Sequence, residues 1–444
     1  MAEPKAKRAR KSPPTRAELA VAAMGPPPPS DPRSGEPMLK VRRVRIYPSP
    51  EQDRTLRAWL GAVRWTYNRT VRALADGVVV GLNLTALRAH SVHNAALDAF
   101  PWARAVPYDV RDEAVRDVVK AVRSNQAKMR KQKAGGKKGA LKKFALGYRR
   151  RKDATQESFV VAKKFYLTTR GPWWELFGAG KMRAAEPLPA ALQFDARLTR
   201  SRLGHYHLCM PVPATVALGS ENQAPADHHG VIALDPGVRT FMTGYDADGG
   251  VVEWGANDMG RLHRLCGRYD SLCARYSQPT VAHARRWRMR RAALRMQLRI
   301  RRLVDDVHCR LARWLCEHYR VVLLPEFRVS EMVIKWDPSR RAGRQRRCIR
   351  SRTARNMLTW GHFRFRQRLL AKAREFPACA VVLCDEAYTS KTCGRCGELH
   401  AKLGASKVFR CPAAGCGFVA DRDASAARNI LLRYLTLNNI AAVA

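Results

Sequence analysis

The apolar positions along the chain change period several times. KVRRVRIY at 40–47 alternates as a strand does, PSPEQ after it is a helix start, and Leu56, Trp59, Leu60, Val63 and Tyr67 then recur at helical spacing. That stripe reads as core packing, with Arg54, Arg57, Arg64 and Arg69 on other faces. A second helix is predicted through DVRDEAVRDVVKAVRSNQAKM. KQKAGGKKGALKK after it, with Lys137 and Lys138, reads as a Lys/Gly-rich loop that faces phosphate. From 155 to about 215 the short pieces SFVVAKK, FYLTTR, LQFDARL and HYHLCMPV, separated by polar or Pro/Gly breaks, predict a small β-barrel or sandwich.

Beyond residue 230 the pattern changes again. VIALDPGVRTFMTGYDADGGVVEWG reads as three antiparallel strands: an apolar run ending at Asp235, a turn at Pro236 and Gly237, a second strand, a DGG turn and a third strand. A long helical stretch covers 261–302 and continues through LVDDVHCRLARWLCEHY. VVLLPEF is then a buried strand ending in Glu326, 340–374 is helical again, AVVLCDEAYTS is another buried strand, and a last helix opens after Asp423. The order β-β-β-α-β-α-β-α is that of a ribonuclease-H-like fold, a mixed sheet flanked by helices. The whole is expected to be a multidomain α+β protein. It has a tail over 1–37 and an N-terminal nucleic-acid-binding lobe over 38–230, with a helical part at 51–150, a β-barrel-like part at 155–215 and the strand at 38–48. An α/β domain over 231–444 follows.

Charge changes this picture from a fold to a class of partner. The chain has 82 Lys+Arg against 37 Asp+Glu, a formal net charge of +45, which points to an extended polyanion. Residues 261–302 alone hold 13 Arg and one acid, Asp270. Arg285, Arg286, Arg288, Arg290 and Arg291 are the candidates there for phosphate contact. No run of about eighteen apolar residues exists and the N-terminus lacks an apolar signal core, so a soluble, intracellular protein without membrane spans is expected. Residues 1–37 carry 9 of the 25 prolines and the basic run KAKRARK at 5–11, which suits either a nuclear-import signal or an unspecific nucleic-acid arm.

Candidate chemistry sits in two sets of residues. Cys209, Cys266, Cys273, Cys309, Cys316, Cys348, Cys379 and Cys384 lie scattered and read as reduced core residues. Cys393, Cys396, Cys411 and Cys416 form CxxC, fourteen intervening residues and CxxxxC, the spacing of one structural zinc with four thiolates, with an iron–sulfur cluster as the alternative. The second set is acidic: Asp235 at a strand end, Glu326 at the next buried strand's end, and Asp423 at the mouth of the last helix. Three carboxylates brought together repel one another unless divalent cations compensate them. Two Mg²⁺ ions there would activate water and stabilise a leaving 3′ oxygen in phosphodiester hydrolysis. Asp421 competes with Asp423 as the helix cap, and Asp385 and Glu386 compete from another strand end.

LDPGVRTF, LLPEF, TSKTCGRCG, FRCPAAGCG and DRDASAARNI together resemble the motifs of the TnpB/Fanzor family, the transposon-encoded OrfB-type proteins related to type V CRISPR effectors, over about 38–432. VRIYPSPEQ with WTYNRTV is similar to the family's helix-turn-helix entry, and TWGHFRFRQRLLAKA to the helix before its last core strand. The resemblance implies a RuvC-like nuclease domain with Asp235, Glu326 and Asp423 as metal ligands and the four cysteines of a zinc ribbon inserted at 387–420. It implies RNA-guided DNA cleavage, with a guide RNA and a target DNA as partners and their heteroduplex in a basic channel between the N-terminal lobes and the nuclease. Ser425 stands where many relatives have Asn, and CxxxxC replaces the commoner CxxC, but neither change removes a ligand. The tail and the PEF form look more like the eukaryotic and viral Fanzor branch, which implies a nuclear location. The rival readings are a transposon-derived DNA-binding protein that has stopped cutting, and an unguided nuclease or transposase using the same acids.

Overall fold

The structure, a computed structural model, describes residues 39–134, 145–151, 156–166, 170–178, 180–213, 229–333, 349–376, 378–401, 403–404 and 406–437. They fall into two compact units, within Pro37–Ala214 and Thr215–Ala444. In the first, β1 (Leu39–Tyr47) leads into α1 (Pro50–Ala75). Ser49 caps this helix in a reciprocal box: its hydroxyl accepts from the Gln52 N–H at 3.2 Å, and its own N–H donates to the Gln52 side chain at 2.9 Å. The stripe from Leu56 to Tyr67 is buried, as its spacing requires. Two further helices, α2 (Leu84–Ser91) and α3 (Tyr108–Ala134), precede β2 (Gln156–Val161).

The expected barrel is instead an open sheet. With β3 (Arg183–Ala184), β4 (Ala196–Ser201) and β5 (Tyr206–Pro213), the order is β2-β4-β5-β1-β3, every pair antiparallel. The two edges, β2 and the two-residue β3, do not meet, so no closure follows. The FYLTTR segment contributes no strand among its described residues. Lys163–Tyr166 is a helical turn, α4, whose first N–H is taken by the Asp195 carboxylate at 2.9 Å.

In the second unit β6 (His229–Pro236), β7 (Met242–Asp246) and β8 (Val251–Trp254) form the expected antiparallel meander. The helical stretch after it is two helices, α5 (Asp258–Ser277) and α6 (His283–His318). Pro279 accounts for the break, since a residue before proline is driven out of helical geometry and Gln278 has ψ 134°. Next come β9 (Tyr319–Pro325), α7 (Ser351–Trp360), α8 (His362–Ala373) and β10 (Ala380–Cys384). A two-stranded ribbon, β11 (Val408–Arg410) with β12 (Val419–Asp421), leads into α9 (Arg422–Leu437). The main sheet is mixed, in the order β10-β9-β6-β7-β8, with β9 parallel to both β6 and β10.

Strand alternation sorts this sheet's residues between two cores. Val231, Ala233, Val321 and Leu323 pack with Ile430 and Leu431 of α9. Ile232, Leu234, Val322 and Leu324 pack on the other face with Leu311 and Leu315 of α6 and Phe365 and Leu369 of α8. At the centre of that second face Phe241 stacks on His308 at 4.8 Å and on His362 at 5.0 Å, and meets Trp360 at 4.8 Å. Trp360 in turn donates its indole N–H to the Val238 carbonyl at 3.1 Å, which pins the turn after Asp235.

Burial holds His308 and His362 neutral, with pKa values near 3 and 4 against an ordinary 6.5, and Arg364 and Arg368 push His308 further down. Both rings are easier to protonate in the unfolded chain, so their contribution is complete above about pH 6.5 and is lost as the pH falls toward 4. The melting temperature is therefore expected to drop steadily between pH 6.5 and 4.5, and His308→Leu to flatten that drop. Thermal scans across this range check it, and an unchanged slope in the variant refutes it.

Candidate active site and zinc knuckle

Asp235 ends the series Val231, Ala233, Asp235 on one face of β6, so its carboxylate is on the α9 side of the sheet. It is half-buried. Burial raises its pKa well above the usual carboxylate value, and the carboxylates of Asp423 and Glu386 raise it further against the opposing pull of Arg422. Glycine is needed just after it, because a Cβ on Gly237 would run into the Thr240 carbonyl oxygen. Asp423 comes from the first turn of α9. The neighbouring Asp421 has the other task the sequence left open: its carboxylate accepts from the N–H groups of Asp423 and Ala424 at 2.9 and 3.0 Å, capping the helix.

Glu386 belongs to this cluster. It lies two residues past Cys384 in the series Val382, Cys384, Glu386 on the α9 side of β10. Burial, with Asp385 beside it, raises its pKa to about 7. Glu326 is placed differently. The strand stops at Pro325, and Glu326 turns half-exposed toward Arg328, which donates to it at 3.0 Å. Its backbone N–H reaches the Cys384 carbonyl at 3.3 Å, so Glu326, Asp385 and Glu386 line one open groove of about 570 Å³. Asp385 is committed to Arg433 at 2.7 Å.

The four cysteines converge. The sulfurs of Cys393, Cys396, Cys411 and Cys416 all lie within 4.8 Å of one another, with Cys393 to Cys416 at 3.9 Å and Cys396 to Cys411 at 3.5 Å. A tetrahedral zinc with sulfur ligands near 2.3 Å has S···S edges of about 3.8 Å, so the cluster fits that ion. The two halves are built alike. The N–H two residues on donates to the first sulfur of each, Arg395 to Cys393 and Ala413 to Cys411, both at 3.4 Å. A left-handed glycine follows the second, Gly397 at φ 81° and Gly417 at φ 60°. Of the eight other cysteines, Cys266, Cys316 and Cys379 are buried, Cys309 is exposed rather than in a core, and Cys348 lies outside the described residues.

Three residues that sequence reasoning passed over fasten this knuckle to α9. Buried Asn429 donates to the carbonyls of Thr389 and Thr392 at 2.9 and 2.7 Å, and Arg428 donates to Gly394 at 2.6 Å. Arg422 binds the carbonyls of Gly404 and Ser406 at 3.0 and 3.4 Å. All lie in the DRDASAARNI motif, but helical periodicity marks only its small residues as buried.

The basic candidates divide. Arg285, Arg288 and Arg290 on α6 are exposed and Arg291 is half-buried, and none has a carboxylate partner among the described residues. Arg286 is spent on structure, donating to the carbonyls of Gln278 and Pro279 at 3.1 and 3.2 Å. Lys137 and Lys138 lie outside the described residues. Among the described residues no helix is long and apolar enough to cross a membrane.

Two outcomes follow from the knuckle. The purified chain should carry one zinc by elemental analysis, and Cys411→Ser should lose it and the protection of α9 against hydrogen exchange. Asn429→Ala, which leaves two carbonyls without donors, should cost about 1–3 kcal/mol in unfolding and speed zinc release to a chelator. Zinc release at the wild-type rate would show that the staple does not hold the knuckle.

Comparison with known proteins finds similarity along most of the chain. A helix-turn-helix domain model of the OrfB/IS605 type matches residues 38–76, and a Cas12f1-like TNB domain model matches 362–430, which spans α8, β10 and the knuckle. A candidate transposase, A625R of Paramecium bursaria Chlorella virus 1, is 26% identical over 90% of this chain and 88% of its own. TnpB-like protein L770 of Acanthamoeba polyphaga mimivirus is 22% identical over 88% of this chain and 73% of its own. The solved Cas12f1–sgRNA–target DNA complex superposes with a TM-score of 0.46 at 11% identity, over 89% of this chain and 99% of that one. By its ordered motifs, both domain matches and relatives aligned along most of its length, the chain is similar to TnpB-like, OrfB-type transposon proteins.

Proposed function

We propose that this protein is an RNA-guided DNA endonuclease of a transposon, with a ribonuclease-H-like domain that hydrolyses phosphodiester bonds at the carboxylate cluster beside α9. One observation carries the reading: Asp235 is held partly out of water with the charges of Asp423 and Glu386 acting on it. Such an arrangement is unfavourable in the protein alone and suits a divalent cation. Asp235, Asp423 and Glu386 would hold Mg²⁺, with Glu326 at the open side of the groove. The ions supply a water of lowered pKa and positive charge for the scissile phosphate and the leaving 3′ oxygen. The chain's own part is to fix the carboxylates, Asp235 by its strand and Asp423 by the capped helix. The relatives' names support a transposon setting. The charge of +45 supports a guide, since roughly six to ten phosphate contacts suffice for many DNA-binding proteins and a folded RNA with a heteroduplex engages far more. KAKRARK supports a nuclear location.

Two experiments test this. Asp235→Ala, Asp423→Ala and Glu386→Ala should each reduce Mg²⁺-dependent cleavage at least 100-fold while nucleic-acid binding holds, and Asp421→Ala should be milder. Glu326→Ala in the same assay decides the third ligand: a loss as large as that of Asp235→Ala, with Glu386→Ala active, assigns it to Glu326. For guidance, RNA that copurifies with the protein is sequenced and its guide segment exchanged. Cleavage should move to the new matching site. Cleavage that stays at the old site, or continues after ribonuclease treatment, leaves an unguided nuclease, and binding without any cleavage leaves a non-catalytic DNA-binding protein.

A further inference from the structure

The hairpin of α5 and α6 carries a feature that phosphate binding does not explain. Trp287, in the second turn of α6, has 54% of its surface exposed. The other described tryptophan as open, Trp102, packs edge-on against Trp65 at 5.1 Å. No ring packs on Trp287 among the described residues, and its companion is the Arg291 guanidinium, 5.0 Å from the ring centre. Across the hairpin, Arg290 lies 5.5 Å from the ring of Tyr276. The setting is entirely cationic: residues 271–304 contain ten Arg and no acid. Arg286 binds the loop carbonyls and so fixes the tip in shape.

An exposed indole is a poor neighbour for phosphate oxygens but a good one for a base, because every base has a flat face and stacking on an aromatic ring tolerates any sequence. A guanidinium already on the ring adds cation–π attraction and leaves the rest of the indole open. Exposed Arg285 and Arg288 flank it and suit the phosphates on either side of an unpaired nucleotide. Base pairs in a duplex hide their faces. The loops and bulges of a folded RNA display them permanently, whereas DNA does so only after strand separation.

We propose that the tip of this hairpin is a stacking site for an unpaired RNA base, with Trp287 as the platform. This rests on the nucleic-acid reading above but not on cleavage or on guidance. The test uses the full chain and an RNA hairpin of arbitrary sequence with a seven-nucleotide loop containing 2-aminopurine. The same stem closed into a continuous RNA duplex and a single-stranded DNA of the loop sequence serve as comparisons. Wild-type protein should quench the loop fluorophore. Trp287→Ala should abolish the quenching and weaken loop binding about 5- to 100-fold, the range expected for one stacked base. Its salt dependence should stay at the wild-type slope, because no phosphate contact is lost. Trp287→Phe should retain most of the affinity, duplex binding should be unaffected, and Arg288→Ala should instead lower the salt slope by about one. Trp287 is exposed, so its variants should melt at the wild-type temperature. Full quenching by Trp287→Ala, an equal loss on the duplex, or an effect confined to the DNA strand overturns the proposal. None of these outcomes bears on whether Asp235 catalyses.

Discussion

The C-terminal unit depends on keeping like charges together. Asp235 and Asp423 are 188 positions apart in the chain, and the Asp423 charge makes ionisation of Asp235 more costly at the end of a sheet buried on both faces. Nothing in the pair itself is attractive, so the geometry must come from its supports. Alternation along β6 directs Asp235 to the α9 side, and the aromatic cluster around Phe241 holds the turn that follows it. Ile430 and Leu431 seat α9 on Val231, Ala233, Val321 and Leu323, and each such side chain contributes about 1.5–3 kcal/mol when fully buried. That apolar contact opposes the electrostatic penalty.

The knuckle is the second support. It is inserted between the strand that carries Glu386 and the helix that carries Asp423, so its closure sets the separation of two acids in the cluster. Its own core is small, Cys393, Leu403 and Phe409, too little to fold alone, which is the usual condition for a structural metal. Asn429, Arg428 and Arg422 then convert a closed knuckle into a fixed helix, because their donors reach carbonyls on both of its halves. A four-cysteine cluster beside an acidic helix start is thus one brace rather than two neighbouring devices.

The charge is less uniform in purpose than its total suggests. Arg64 pairs with Glu157 at 2.7 Å, Arg88 with Asp112 at 2.6 Å, and Arg368 with Asp305 at 3.1 Å, while Arg69, Arg111 and Arg286 are spent on backbone carbonyls. Those guanidiniums are structural. Arg285, Arg288, Arg290 and Arg291 have no carboxylate among the described residues, so composition alone overstates the surface available to a polyanion and α6 concentrates it.

Local chemistry carried much of this in the sequence. The capped start at Ser49, the strand-turn-strand run from Val231, the cysteine spacing and the acid at each element end are short-range signals, and each fold element built on them was legible. The long helix over 261–302 was legible as helix, though its break at Pro279 was missed. What the sequence could not show is which face an acid takes. VIALD and VVLLPE are apolar on both sides, so alternation leaves no polar mark to read, and Asp235 and Glu326 look equivalent until the strands are packed. Packing separated them: Asp235 stays in register with Ala233 against α9, while Glu326 lies one residue beyond the strand and turns to Arg328. The open edge of the first sheet was decided in the same way, because whether β2 and β3 meet depends on their distance in space and not on any residue in either.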